Sequence, residues 1–221
     1  MTIKAIIFDF DGVLTDTEPV HMEAWLAVLE RFGISFDQEE YDAHYIGLND
    51  RDFLDAVGHI HGHHFENETK AALIEEKSMA ALNLLEKDIP VLPGVSDFLE
   101  KNSQNHIFAI CSGANRGEIE FILKRLKWMN LFSPIIASDS VKKGKPDPEG
   151  YIRALEGLVE RSNDLILAEN VLAIEDSPKG IAAAKSAGLK CLAVKNSFSD
   201  EALQEADWIV DSLAAVIVRE L

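Results

Sequence analysis

Asp9 and Asp11 flank Phe10 directly after the apolar run Ala5-Ile6-Ile7-Phe8. In an extended strand, residues two apart share a face, so this spacing would set two carboxylates side by side. Gly12 follows, and its missing Cβ lets the chain turn sharply and its backbone approach a ligand. A second acidic pair, Glu175-Asp176, closes the apolar run that starts at Val171. Carboxylates brought together repel one another and call for protons, a cation or solvent. Oxygen donors without Cys or His partners suit Mg2+, which commonly binds through one or two carboxylates and keeps several waters. Two other residues carry complementary chemistry. Ser112 ends the run "IFAIC" before Gly113, where its hydroxyl and the following backbone N–H groups could hold a phosphate. Lys145, in "KKGKPDPEG", would offset charge on a transferring phosphoryl group. Taken singly, each has a bland counterpart: an exposed acidic loop, a turn serine, a surface lysine. Their joint occurrence at the ends of apolar runs favours one shared site.

Such a site needs elements that bring residues 9, 112, 145 and 176 together. Apolar runs that read as buried strands recur as "AIIFDF", "IFAICS", "PIIAS", "VLAIED", "CLAVK" and "DWIVD". Between them lie segments of helical spacing: "VSDFLEKN", "NRGEIEFILKRLKWM", "DPEGYIRALEGLVE" and "SPKGIAAAKSAG". Strands apolar on both faces that alternate with helices predict a parallel sheet covered by helices. In open sheets of this kind, ligands bind beyond the carboxyl ends of the strands, where the polar residues fall. From about Asp16 to Asp88 the alternation stops, and only helical pattern remains, as in "VHMEAWLAVLERFG" and "KAALIEEKSMAALNLLEK". Gly33 reads as a helix C-cap. Pro90 and Pro93 mark the return to alternation. The expected organisation is a catalytic core of residues 1–15 and 91–221, with a helical insert of residues 16–90.

The chain has 221 residues, 47% of them hydrophobic, enough for a real buried core. With 21 Lys and Arg against 38 Asp and Glu, its net charge is −17. Such a surface repels phosphate backbones and anionic lipid, which argues against nucleic acid and membrane as partners. No apolar run is long enough to span a bilayer, and no signal-peptide pattern opens the chain. Cys111 and Cys191 each fall inside an apolar run without a CxxC partner, so the cytoplasm is the simplest location. A monomer is the expected state.

In the order "DFDGVLTD" at Asp9 to Asp16, Ser112, Lys145 in "GKPDP", and "EDSPKGIAAAKSAG" from Glu175, the sequence resembles the haloacid dehalogenase superfamily. The likeness is to the branch containing β-phosphoglucomutase-like and phosphoglycolate phosphatase-like proteins. It implies an α/β fold, a Rossmann-like core of parallel sheet flanked by helices, with an inserted all-helical cap domain. It implies a small phosphorylated substrate and Mg2+ as cofactor. By the same resemblance, Asp9 is the nucleophile that forms an aspartyl-phosphate, and Asp11 is general acid and then general base. Mg2+ is held by Asp9, the Asp11 carbonyl and Asp176, with Glu175 nearby. Ser112 and Lys145 bind the phosphoryl oxygens, with Gly113, Ala114, Asn115 and Arg116 beside them. Asp16 and Glu18 fall at the hinge into the cap.

The cap residues bear on which enzyme this is. His21 and Trp25 match β-phosphoglucomutase-like proteins, and Lys77 falls where a cap lysine is expected, giving His21, Arg51 and Lys77 as substrate-binding candidates. The arginine of the mutase pattern falls instead on Asp50, with Arg51 one place late, and "GANR" after Ser112 departs from that pattern too. A phosphatase is therefore expected, with a sugar phosphomutase as the alternative. A regulatory protein that keeps the fold without turnover is a third reading, opposed by the presence of Asp9, Asp11, Lys145 and Asp176 together. "GHIHGHHFEN" gathers His59, His61, His63 and His64, but interrupting glycines and the absence of Cys make a zinc site there a poor expectation.

Overall fold

The computed structural model describes residues 2–162, 165–196 and 198–221. In chain order its elements are β1 (Ala5–Phe8), α1 (Glu18–Leu29), α2 (Gln38–His44), α3 (Asp50–His61), α4 (Asn67–Lys87), α5 (Val95–Asn102) and β2 (Ile107–Cys111). They continue with α6 (Arg116–Arg125), β3 (Phe132–Ile136), α7 (Glu149–Arg161), β4 (Val171–Glu175), α8 (Pro178–Ser186), β5 (Lys190–Val194) and β6 (Trp208–Val210). Two compact units result: one from the segments up to Asp16 and from Pro90 onward, the other Thr17–Ile89. Asp16 and Pro90 belong to the first because they pair with each other, the Asp16 N–H donating to the Pro90 carbonyl at 2.9 Å.

The first unit is built on a six-stranded parallel sheet in the order β3-β2-β1-β4-β5-β6. Each of the six apolar runs in the sequence is a strand. β1 is buried along its whole length, as is β4, because helices cover both faces of a parallel sheet. Alternation sorts the side chains. Ala5, Ile7, Ala109, Cys111, Ala173 and Cys191 pack with Tyr151, Ala154 and Leu158 of α7 and Ile181 of α8. On β1's other face, the Phe8 ring meets Phe98, Phe108 and Phe132 edge-on at 6.0, 5.2 and 5.6 Å. Edge-to-face pairs of this kind contribute about 0.5–1.5 kcal/mol each beyond area burial.

Strand order reverses between β1 and β4. β2 and β3 are laid down on one side of β1, and β4, β5 and β6 on the other. That reversal opens a crevice at the carboxyl ends of β1 and β4, where this class of sheet binds its ligands.

The second unit is all helical. Its core is aromatic: Trp25 stacks on Phe53 with centroids 4.5 Å apart, and Phe36, Tyr41 and Tyr45 surround Phe53. The buried positions of α4 recur at helical spacing, Lys70, Leu73, Lys77, Ala81 and Leu85, so two lysines lie on its inward stripe. Lys70 is ion-paired with Asp55. Gly33 closes a 3-10 turn after α1 in the left-handed region, φ 69°. Among the described residues, no helix is long and apolar enough to cross a membrane.

Candidate active site

Sheet register dictates the site. Phe8 pairs with Ile110 of β2 on one side and Ile174 of β4 on the other, so the residues that follow each strand emerge together. Asp9 follows β1, Ser112 follows β2, and Asp176 follows β4, whose last residue is Glu175. All four are buried. Asp9, Glu175 and Asp176 bring carboxylate oxygens within 4.8 Å of one another, and they are the one such cluster among the described residues.

Among the described residues, one cation answers this cluster. Lys145, from the loop before α7, places Nζ 2.8 Å from Asp9 Oδ1 and 2.5 Å from Glu175 Oε1. Its charge is held: burial alone would lower the ammonium's pKa, but the Asp9 and Glu175 carboxylates outweigh that and raise it. Asp9 is pushed well above the usual carboxylate range by burial, then by the Glu175 charge, with Lys145 opposing. Asp176 is pushed up to about 7, by burial first and Glu175 second. Three acids against one ammonium leave a buried excess of negative charge, and an all-oxygen donor set of this kind fits a hard divalent cation such as Mg2+.

The loop after β1 is wound tightly. The Leu14 and Thr15 N–H groups both donate to the Phe10 carbonyl, and the Gly12 N–H donates to Thr15 at 2.7 Å. Gly12 has φ 78°, and a Cβ there would lie 2.1 Å from Asp176 Oδ2. Glycine is thus required twice, by its backbone angle and by the carboxylate beside it. Asp11 sits half-buried in this loop and adds to the negative field on Asp176.

Glu175 is turned inward. It is fully buried; its Oε1 accepts from Lys145 and from Tyr151 Oη (2.7 Å), and its Oε2 from the Asp176 N–H, the Ser177 N–H and Ser177 Oγ. Ser177 in turn caps α8, accepting from the Gly180 N–H. Tyr151 and Ser177 were not visible as site residues in the sequence: one reads as an apolar position of an amphipathic helix, the other as an ordinary N-cap.

The remaining expected residues are placed as follows. Ser112 Oγ accepts from the Ala114 N–H at 3.0 Å, and Gly113 is exposed with open space at its Cβ position. Asn115 caps α6, accepting from the Glu118 N–H. Arg116 donates to the Ile135 carbonyl at 2.6 Å and to Ser140 Oγ at 3.2 Å, so its guanidinium braces β3. In the helical unit, His21 is half-buried on α1 and Arg51 is exposed in the first turn of α3. Lys77 is buried and paired: its Nζ is 2.9 Å from Asp50 Oδ1 and 5.6 Å from the Trp25 ring centroid, with 7% side-chain exposure. The histidines do not converge. His61 bonds Glu40 at 2.8 Å, the His63 ring stacks on Phe65, and His59 and His64 are exposed.

With this geometry in view, the comparisons with known proteins are specific. A family model described as haloacid dehalogenase-like hydrolase matches residues 3–188. A phosphorylated carbohydrates phosphatase of Thermotoga maritima is 35% identical over 208 residues, covering 92% of this chain and 91% of its own. Beta-phosphoglucomutase of Bacillus subtilis is 31% identical over 196 residues, covering 87% and 83%. Among solved structures, CbbY from Rhodobacter sphaeroides in complex with phosphate is similar with a TM-score of 0.82 at 26% identity, covering 97% of this chain and 96% of that one.

Proposed function

Because the chain belongs to the haloacid dehalogenase-like hydrolase family, we propose that it is a Mg2+-dependent phosphatase acting on a small phosphorylated metabolite through an aspartyl-phosphate. The observation that carries this reading is Lys145 bridging Asp9 and Glu175 at the reversal point of the sheet. Asp9 Oδ1 is held by the Phe10 N–H at 2.7 Å and by Lys145, which leaves Oδ2 outside both bonds as the attacking oxygen. Its attack forms a bond to phosphorus as the ester P–O bond breaks, and Asp11 gives its proton to the departing oxygen. Asp11, now a carboxylate, takes a proton from water; that water attacks phosphorus, and Asp9 and inorganic phosphate are released. Lys145 and the Ser112 hydroxyl stabilise the phosphoryl oxygens, where a placed donor is worth about 2.7–4 kcal/mol in other enzymes. Asp9, Asp176 and the Asp11 carbonyl would hold Mg2+, with Glu175 adjacent. When bound, the ion supplies the charge neutralisation that lets an anionic ester enter an acidic site.

The helical unit supports hydrolysis over mutation of the phosphate's position. A mutase must bind a second phosphate, and the lysine expected to help, Lys77, is already neutralised by Asp50, at the place of the mutase-pattern arginine. The 31% identity to a β-phosphoglucomutase is what favours the second reading. The buried thiols Cys111 and Cys191 fit a reducing compartment such as the cytoplasm.

A panel of phosphorylated sugars and other small phosphoesters, with and without Mg2+, tests the reading. Mg2+-dependent release of inorganic phosphate is expected. If β-glucose 1-phosphate with a bisphosphate primer yields glucose 6-phosphate faster than free phosphate, the mutase reading replaces it. A folded protein that turns over nothing would be a binding relative.

A further inference from the structure

Tyr151 has no part in the steps above, yet its side chain is fully buried and its hydroxyl is 2.7 Å from Glu175 Oε1. That oxygen also takes the Lys145 ammonium at 2.5 Å, and the ammonium stands 5.5 Å from the centre of the Tyr151 ring. For packing against Cys111, Ala154 and Leu158 alone, phenylalanine would serve. A buried hydroxyl is costly unless it is partnered, so its presence calls for a reason. We propose that Tyr151 is a positioning residue: its hydroxyl anchors Glu175, and through Glu175 it holds the Lys145 ammonium against Asp9.

The first turn of α7 is built to do this. Glu149, two residues before Tyr151, accepts from the Lys142 and Lys143 N–H groups and is ion-paired with Arg153 at 2.7 Å. The loop that carries Lys145 is therefore tied to the same helical turn that carries Tyr151. Gly150 lets this turn sit against β2, since a Cβ there would fall 2.8 Å from Cys111 Sγ. Burial and the neighbouring Glu175 charge keep the phenol protonated, hence a donor. Without that donor, Glu175 Oε1 would have Lys145 as its one remaining partner. The ammonium would then be drawn toward Glu175 and away from Asp9 and the phosphoryl oxygens it must meet.

The kinetic consequence rests on the phosphatase reading; the structural one does not. Tyr151→Phe keeps the ring and removes the donor. The first readout is hydrolysis of p-nitrophenyl phosphate with Mg2+, expressed per folded molecule. The second is the 15Nζ–1H signal of Lys145 in the wild type and the variant, assigned by its loss in Lys145→Met. The expected result is a fall in kcat of about tenfold to a hundredfold, the size of one hydrogen bond to a charged group, with KM within about twofold, and a shifted or exchange-broadened Lys145 signal. An unchanged Lys145 signal overturns the proposal whatever the activity does; in an active enzyme, an unchanged kcat beside a shifted signal overturns its kinetic half, since Lys145 then responds to the hydroxyl without consequence for turnover. If the wild type hydrolyses no phosphoester, the phosphatase reading fails, and the Lys145 signal alone decides: shifted supports positioning, unchanged refutes it. Tyr151→Met, which also lacks the hydroxyl, supplies both readouts should Tyr151→Phe not fold.

Discussion

Replacing Lys145 with methionine removes an ammonium from a cluster of three buried carboxylates while keeping most of the side-chain volume. The ammonium touches Asp9 at 2.8 Å and Glu175 at 2.5 Å with 16% side-chain exposure. At an effective dielectric near 20, a unit-charge pair at about 4 Å gains about 4 kcal/mol, and burying the ammonium costs several kcal/mol in return. Breaking a buried pair by removing one partner therefore costs about 3–5 kcal/mol when the other partner stays charged. The acids have an escape, which is to bind protons. Burial already raises the pKa values of Asp9 and Asp176, and loss of Lys145 removes the positive charge that lowers both. Between the unfolded value near 4 and the raised folded values, the folded chain binds more protons than the unfolded one, so stability falls as pH rises and recovers as pH falls. Urea denaturation of the wild type and Lys145→Met in chelator at pH 5.5 and pH 8.5 measures this. The expected loss is about 3–5 kcal/mol at the higher pH and clearly smaller at the lower one, with kcat/KM down by about 2–4 kcal/mol of barrier. An equal loss of stability at both pH values would show that the carboxylates do not take up protons when Lys145 is lost.

Mg2+ binding to the metal-free chain should weaken as pH falls below about 7, where Asp176 takes up a proton, approaching tenfold per pH unit. Calorimetry in two buffers should show proton release, and affinity constant from pH 6 to 8 would contradict the assignment. Gly12→Ala should lose tenfold or more in Mg2+ affinity and about 1–2 kcal/mol of stability, because its Cβ would meet Asp176 Oδ2 at 2.1 Å in a left-handed turn; normal affinity in the folded variant would count against that contact. Asp50→Ala should destabilise the chain by about 3 kcal/mol by stranding Lys77, and Asp50→Ala with Lys77→Met together should recover much of it. Simple additivity in that double-mutant cycle would show the pair to be uncoupled.

Much of the core unit is legible because a parallel sheet buried on both faces writes its strands as unbroken apolar runs. The residues that end those runs, Asp9, Ser112 and Asp176, are also the ones that must meet, so strand ends and site are read together. β3 starts at Phe132, ahead of the run "PIIAS", because Ser133 and Pro134 interrupt the apolar pattern without ending the strand. The helical unit is less legible. α2 has seven residues, too few to establish a period, and α3 carries Gly58 and two histidines, which break its apolar pattern. Gly58 is there for packing: a Cβ would lie 2.7 Å from the His63 carbonyl. The surroundings of Lys77 are hidden for a related reason, since the pairing of a lysine on the buried stripe of a helix is invisible until its partner, 27 residues away, is located. Arg116 and Tyr151 are likewise defined by partners 19 and 24 residues off in the chain. Spacing rules reach one element; these contacts link two.

The proposed mechanism makes Asp9 a nucleophile rather than only a carboxylate that attracts a cation. Rapid acid quench during turnover of a phosphoester, followed by mass spectrometry of the peptide spanning Ala5 to Asp16, would trap the intermediate. The phosphoryl group should appear on Asp9 during turnover and be absent from Asp9→Asn, which should remain folded and inactive. A phosphoryl group on another residue, or full turnover by folded Asp9→Asn, would rule out Asp9 as the nucleophile.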